Sequence, residues 1–369
     1  METCAEPLRD VLILRTIQTM EKFRPHILLR NAHVMTIAAN FWPRTVPSLG
    51  RSVTRWFETE PGTKVRAECH WQEAPDRRPT LVILHGLEGS CDSGYVRGTA
   101  EKAWIAGFNV VRLNQRNCGG SEKMSNTLYH SGLSGDILAV ITELIEQDGL
   151  REVFAAGFSM GGNLMLKMAG ELGNDAPDGL RAIVAIAPAL DLAACADALA
   201  EPRNFIYERH FVKRLKKRMR LKASLFPELF PLDEITGFGG IATVRDFDDL
   251  VTARFCNFRD ARDYYAQSSA AAVMKAIRLP TLIITSKDDP FVPFEPFENP
   301  AITANPNITL VATENGGHCA FISRHDTAER FWAEARIVEY CKGKSQLLGA
   351  AERSSPAETA QAIGFSREG

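Results

Sequence analysis

The sequence predicts a doubly wound α/β fold, a mostly parallel sheet flanked by helices, and three observations carry that expectation. Six short, continuous apolar runs lie along the chain: "LVILH" (81–85), "FNVVRLN" (108–114), "VFAAG" (153–157), "AIVAIAP" (182–188), "TLIITS" (281–286) and "ITLVAT" (308–313). Strands buried on both faces of a parallel sheet read this way. Helical periodicity fills several of the intervals between them, which is the alternation a helix-covered sheet requires. Finally, a serine between glycines sits where one such strand gives way to a helix, in "VFAAGFSMGGNL".

Element by element, the N-terminus carries one apolar cluster, "VLIL" (11–14), between Asp10 and Arg15. It is far shorter than the roughly 20 apolar residues a membrane span needs. It also lacks a small-residue cleavage site, so a cytoplasmic protein is expected. "SVTRWFET" and "TKVRAECHW" alternate apolar and polar residues around Pro61 and Gly62, which predicts an antiparallel hairpin with one solvated face. In "GDILAVITELIEQ", Ile137, Val140, Ile141, Leu144 and Ile145 recur at helical spacing, as do Leu164, Met165, Met168 and Leu172 after Ser159. "DTAERFWAEARIVEYC" places Phe331, Ala335 and Val338 on one helical face behind an Asp326 cap.

Between Pro188 and Thr281 lie about 90 residues with helical patterns and no clear strand, too long for a crossover. They read as a cap inserted over the C-terminal edge of the sheet. Residues 343–369 are rich in Ser, Ala, Gly and Glu without periodicity and read as a disordered tail.

The composition narrows the function classes. Apolar residues make up 45% of the 369 and charged residues 24%, a soluble balance, and the net charge of −2 gives no case for nucleic-acid binding. Eight cysteines without a CxxC pair fit neither a zinc site nor a disulfide scaffold, so reduced thiols are expected.

Ser159 stands in a GxSxG motif. A strand–turn–helix setting makes that motif a nucleophile elbow, with Gly157 and Gly161 needed where a Cβ would clash. A serine hydroxyl near pH 7 needs a general base, and the base an orienting acid. "ENGGHCAF" offers His318 and "TSKDDPFVP" offers Asp289, each after its own strand. Asp289 is preferred to Asp288 because it directly precedes "PFVP". Asp191, just after "AIAPAL", is the competing acid or else a helix cap. The loop "HGLEGS" (85–90) follows the "LVIL" strand, so the backbone amides of Leu87 and Met160 are the candidate oxyanion donors, while His85 braces the loop. One such donor typically contributes about 3–4 kcal/mol of transition-state stabilisation.

"FRPHILLRNAHVMTI" (23–37), "RNCGGSEKMSNTLYHSGLSGDI" (116–137), "FDDLVT", "DYYAQSS", "DDPFVP" and "GGHCAF" together resemble the α/β-hydrolase superfamily, specifically its type-4 subfamily of YheT-like proteins. The resemblance covers nearly the whole chain to about Cys341. It implies an α/β-hydrolase core with an inserted helical cap and a Ser159–Asp289–His318 triad, in carboxylesterases or lipid acyl hydrolases. The membrane-spanning N-terminus of eukaryotic relatives is not expected here. His130 and His33 fall in these blocks, as substrate contacts or as buried hydrogen-bonding histidines. Tyr264 and Tyr265 line the pocket or pack the cap.

The expected divisions are an N-terminal segment packed on the core (1–50), the first part of the core (51–190), the cap (191–278), the second part of the core (279–342) and the tail. Within the cap, "RHFVKRLKKRMRLK" (209–222) sets Phe211, Leu215 and Met219 on one stripe of a basic helix. It either rests on the core with a solvated face or docks an anionic lipid or substrate. The expected activity is cleavage of carboxylic esters, from small molecules or lipids, with no metal or organic cofactor. The alternatives are an acyltransferase with the same triad and a non-catalytic ligand-binding protein.

Overall fold

Residues 21–327 and 329–348 are described by a computed structural model; the 11–14 cluster and the tail beyond Leu348 fall outside them. Strands β1 (Val53–Glu60), β2 (Thr63–His70), β3 (Thr80–Leu84), β4 (Asn109–Leu113), β5 (Val153–Phe158), β6 (Leu180–Ile186), β7 (Thr281–Ser286) and β8 (Ile308–Thr313) form one sheet. Their order is β1-β2-β4-β3-β5-β6-β7-β8. The β1–β2 hairpin is antiparallel and β2 joins β4 antiparallel, while every pairing from β4 to β8 is parallel. Parallel strands deliver their following loops to one edge. β3 lies between β4 and β5, so the loops after β3 and β5 emerge side by side where the strand order reverses, the usual place for a ligand crevice.

Two faces of packing account for the continuous apolar runs. Leu81 and Ile83 of β3 point into one cluster and Val82 and Leu84 into the other. The first face is covered by α2 (Gly94–Ile105), counting α1 as Ala32–Phe41, and by the C-terminal helix Trp332–Lys344; the second is covered by α3 (Ser134–Glu146) and α4 (Met160–Leu172). β3 to β7 are consequently almost wholly buried, but β8 is not. Its run reads as a two-sided strand, yet it closes the sheet edge and keeps half-buried residues along its length.

Between β6 and β7 the chain forms α5 (Leu192–Leu199), α6 (Phe205–Leu225), α7 (Val244–Phe247), a π-helical turn (Asp248–Ala253) and α8 (Ala261–Ser268). In α6, Leu215 and Met219 are buried and Phe211 half-buried, so the apolar stripe faces inward. A second stripe, Arg214, Arg218 and Lys222, also turns inward onto the loops after β3 and β4. Arg209, Lys213, Lys217 and Arg220 remain exposed.

After the short α9 (Pro300–Thr303), the last helix among the described residues is α10 (Trp332–Lys344). Asp326 does not cap it: its carboxylate pairs with Arg324 at 3.1 Å in a turn, and Phe331, bridged to Ile322, directly precedes the helix start at Trp332. Residues 343–348 also depart from the expected disorder. The buried Glu152 carboxylate accepts from Ser345 Oγ (2.6 Å) and from the amides of Gln346 (2.8 Å) and Leu347 (3.3 Å), which holds this polar stretch to the core. Among the described residues no helix is long and apolar enough to cross a membrane, and the seven cysteines are unpaired.

Candidate functional site

Ser159 occupies the turn from β5 into α4 with φ +54° and ψ −119°, a backbone conformation that side-chain-bearing residues rarely adopt. Its surroundings hold it there. A Cβ on Gly157 would stand 2.2 Å from the Gly161 carbonyl oxygen, and one on Gly161 would stand 2.5 Å from that of His85. Only glycine allows β5, α4 and the loop after β3 to approach so closely. Ser159 N donates to Ile186 O at 2.8 Å, tying the turn to the end of β6.

The loop after β8, which carries His318, reaches the same carbonyl through the next residue, Cys319, whose Sγ lies 3.7 Å from Ile186 O. His318 Nδ1 is 2.8 Å from Asp289 Oδ2, and the Asp289 side chain is completely buried. Its other oxygen, Oδ1, accepts from the amides of Phe291 (3.1 Å) and Val292 (3.0 Å), which fixes the carboxylate. Burial works against a charged imidazole, but the Asp289 carboxylate and the neighbouring Cys319 outweigh it and hold the His318 pKa above its ordinary value. Asp191 takes the cap position of α5 instead, accepting from Ala194 N at 3.0 Å.

The loop after β3 supplies the third side. Gly86 N donates to Tyr95 Oη (3.0 Å) and Gly89 N closes onto Gly86 O (3.1 Å); between them, Leu87 lines the cavity beside Ser159. Met160 is the first residue of α4, where an amide has no intrahelical acceptor. Fully buried His85 accepts from Gln115 N through Nε2 (3.1 Å), which leaves Nδ1 to donate to Gly86 O (2.7 Å). Burial lowers its pKa to about 4, so it is a neutral brace.

Ser159 opens on a cleft of about 990 Å³, part of it open to solvent. Its walls are mostly apolar: Leu192 and Leu199 from α5, Leu215 and Met219 from α6, Phe247, and Phe291 from the loop after β7. Phe291 also packs on the His318 ring, with centroids 4.2 Å apart. His130, Tyr264 and Tyr265 line the cleft too. His130 Nδ1 accepts from Gly132 N (3.1 Å), and burial, reinforced by Arg116 and Lys167, lowers its pKa to about 4. Tyr264 Oη accepts from Ser131 N (3.0 Å), whereas Tyr265 Oη donates to Asp248 (2.7 Å), whose pKa burial raises to about 6. His33 lies away from this wall, its ring stacked on Tyr207.

The roles of several further residues were not legible in the sequence. Glu88, next to Leu87, is buried at φ +57° and receives both Arg218 (2.6 and 3.1 Å) and Tyr129 Oη (2.6 Å). Arg218 also donates to the Asn117 carbonyl. Asp288 accepts from Gly317 N (2.9 Å) and Thr36 Oγ1 from His318 N (2.9 Å), so two side chains brace the histidine loop. Nothing in the residue types distinguishes these from ordinary surface polar groups; their roles depend on which loops meet.

A family model for the alpha/beta hydrolase fold matches residues 79–324. The esterase YheT of Escherichia coli K12 is 31% identical over 322 residues, covering 86% of this chain and 92% of that protein. Phospholipase ABHD3 of Mus musculus is 27% identical over 246 residues, covering 66% of this chain and 59% of that protein. Among solved structures, the Pyrococcus furiosus esterase Pf2001 superposes with a TM-score of 0.53 at 18% identity, covering 82% of this chain and 96% of that one, a likeness of fold. With the match spanning most of the sheet, the elbow and the loops around it, the chain belongs to the alpha/beta hydrolase fold family, among its YheT-like proteins.

Proposed function

We propose that this protein hydrolyses carboxylic esters through an acyl-enzyme on Ser159. The observation that supports the reading is the Asp289–His318 pair, on a loop whose Cys319 meets the same Ile186 carbonyl as the amide of a strained serine at the mouth of an apolar cleft. Ser159 Oγ attacks the ester carbonyl as His318 takes its proton, and Asp289 orients and charge-stabilises the imidazole. The amides of Leu87 and Met160 donate to the oxyanion. His318 then returns the proton to the departing alcohol, and water, activated by the same ring, cleaves the acyl-enzyme. The apolar walls suit the acyl chain, and the names of the relatives, esterase and phospholipase, support an ester or lipid substrate.

The test is turnover of p-nitrophenyl esters of increasing acyl length by the wild type and Ser159→Ala, with intact mass recorded during turnover. Loss of at least about 10³-fold in kcat, with an acyl adduct only on the wild type, is expected. Equal rates in the two proteins would sink the reading. Alcohol acceptors added to the assay report transfer in place of hydrolysis.

A further inference from the structure

Twelve large apolar side chains are exposed among the described residues, and seven of them lie in two short stretches. Ile27 and Leu28 occupy the turn before α1, Val34, Ile37 and Phe41 lie on α1 itself, and Phe205 and Ile206 begin α6. Scattered apolar groups are normal on a protein surface; a concentration of them is a contact surface. Val34, Ile37 and Phe41 are spaced i, i+3, i+7 and so share one helical face, with Phe41 as much as 77% exposed. Met35 and Ala39, on the other side, are buried against Ile322 and Phe331.

The two stretches adjoin, and they adjoin the site. The His33 ring stacks on Tyr207 at 5.8 Å, and Tyr207 Oη donates to His33 O at 3.4 Å. Tyr207 in turn packs on Phe291, the cleft residue that touches His318. α1 also carries Thr36, which accepts from His318 N.

The charge carried by the N-terminal stretch itself is of one sign. Residues 22–57 contain six Lys or Arg and no Asp or Glu. Arg44 and Arg55 of that set pair with Glu334, Glu143 and Asp148, but Arg24 and Arg30 are exposed on either side of Ile27 and Leu28. Arg209 and Lys213 are exposed one and two turns beyond Phe205. A second copy meeting this face about a two-fold axis would set these cations against each other. A bilayer interface with anionic headgroups complements both the apolar stripe and its cationic rim.

We propose that α1, the turn before it and the start of α6 form a docking surface for an anionic lipid bilayer. The apolar side chains enter the headgroup–acyl boundary while Arg24, Arg30, Arg209 and Lys213 meet lipid phosphates. This extends the ester-hydrolase reading to esters delivered from a bilayer and rests on that reading for its purpose, although docking itself needs no chemistry at Ser159.

The experiment is flotation of the full chain carrying Ser159→Ala with vesicles of phosphatidylcholine alone or mixed with phosphatidylglycerol. Two sets are added: Val34→Ser/Ile37→Ser/Phe41→Ser, and Arg24→Gln/Arg30→Gln/Arg209→Gln/Lys213→Gln. Binding to the anionic vesicles, reduced more than about tenfold by either set, is expected. The same sets with Ser159 intact should melt like the wild type. Absence of binding to anionic vesicles, or undiminished binding by the apolar set, overturns the proposal. So does a dimer in sedimentation that only the apolar set dissociates, which assigns the face to a second copy. Because binding is read with Ser159 replaced, an inactive wild type would sink the hydrolase reading without touching the binding result.

Discussion

At His318 the balance of burial and charge sets the pH at which the proposed mechanism can run. Burial disfavours the imidazolium, but Asp289 at 2.8 Å, aided by Cys319, raises the pKa above the ordinary 6.5. As the proposed base, His318 must be neutral to accept the Ser159 proton, so kcat/KM should rise with pH through a value above 6.5. Asp289→Asn removes the charge and offers Nδ1 a donor in place of an acceptor, which favours the wrong tautomer. The expected result is a loss of roughly 10³–10⁴-fold in kcat with the acid limb shifted downward. An unshifted limb in that variant would mean another group titrates. Sequence reading reaches three loops, each after its own strand, and narrows the acid to two adjacent aspartates and one remote one. Which carboxylate faces the ring depends on loop backbone: Asp289 Oδ1 is fixed by the amides of Phe291 and Val292, while Asp288 turns to Gly317. Residue type carries no record of that division.

Between elements, the main coupling runs from α6 to the loop after β3. Arg218 holds the carboxylate of Glu88, and Arg214 donates to the Glu88 carbonyl at 2.6 Å, so α6 fixes a residue at positive φ beside the Leu87 amide. Arg218→Gln leaves the buried Glu88 carboxylate with Tyr129 as its side-chain hydrogen-bond donor and Arg214, 3.6 Å away, as its cation, a weakened pairing of the kind that destabilises. If Leu87 is an oxyanion donor, its displacement acts on the transition state more than on substrate binding. The expectation is kcat lowered about 10- to 100-fold with KM within about threefold. A lower melting temperature with unchanged kcat would confine the pair to stability. This clamp also explains why the basic stretch was only half legible. Its apolar stripe can be read from the i, i+4 spacing of Phe211, Leu215 and Met219, but Arg214, Arg218 and Lys222 share that same spacing and look solvent-facing. Lys222 is in fact fully buried, donating to Asn117, Glu122 and Ser125, with its pKa lowered to about 8 by burial. The strands were legible because Val, Ile and Leu in unbroken runs leave few alternatives. The edge position of β8 was not, since strand order is a property of the whole sheet.

For the molecule as a whole, buried histidines set the response to acid. Burial lowers His70, with help from Arg112, His85, and His130, with help from Arg116 and Lys167, each to about 4. A histidine in the unfolded chain titrates near 6.5, so below that pH the unfolded state holds protons the native state refuses. Their contribution to stability is therefore present above 6.5 and lost as the pH falls toward 4. Asp248 works the other way: burial raises it to about 6 against an unfolded 3.8, so the native state gains a proton there as the pH falls. The raised His318 contributes stability that is full below 6.5 and is lost as the pH rises from there through its native value, so it opposes the other histidines only above 6.5. Among these four groups, three protons against one leave a net uptake of about two on unfolding near pH 5, at roughly 1.4 kcal/mol per pH unit for each. Thermal melts from pH 6.5 to pH 5 should show a falling Tm, with His130→Asn removing about one proton from the slope. A Tm that stays flat over that range would mean these rings are not held neutral in the native protein. His85 gives the prediction its bearing on the site: protonating Nε2 would abolish its acceptance from Gln115 N, and Nδ1 of the same ring lies against Gly86 O, one residue before Leu87. Acid should therefore lower kcat beyond what the titration of His318 alone requires, and the excess should track the loss of Tm.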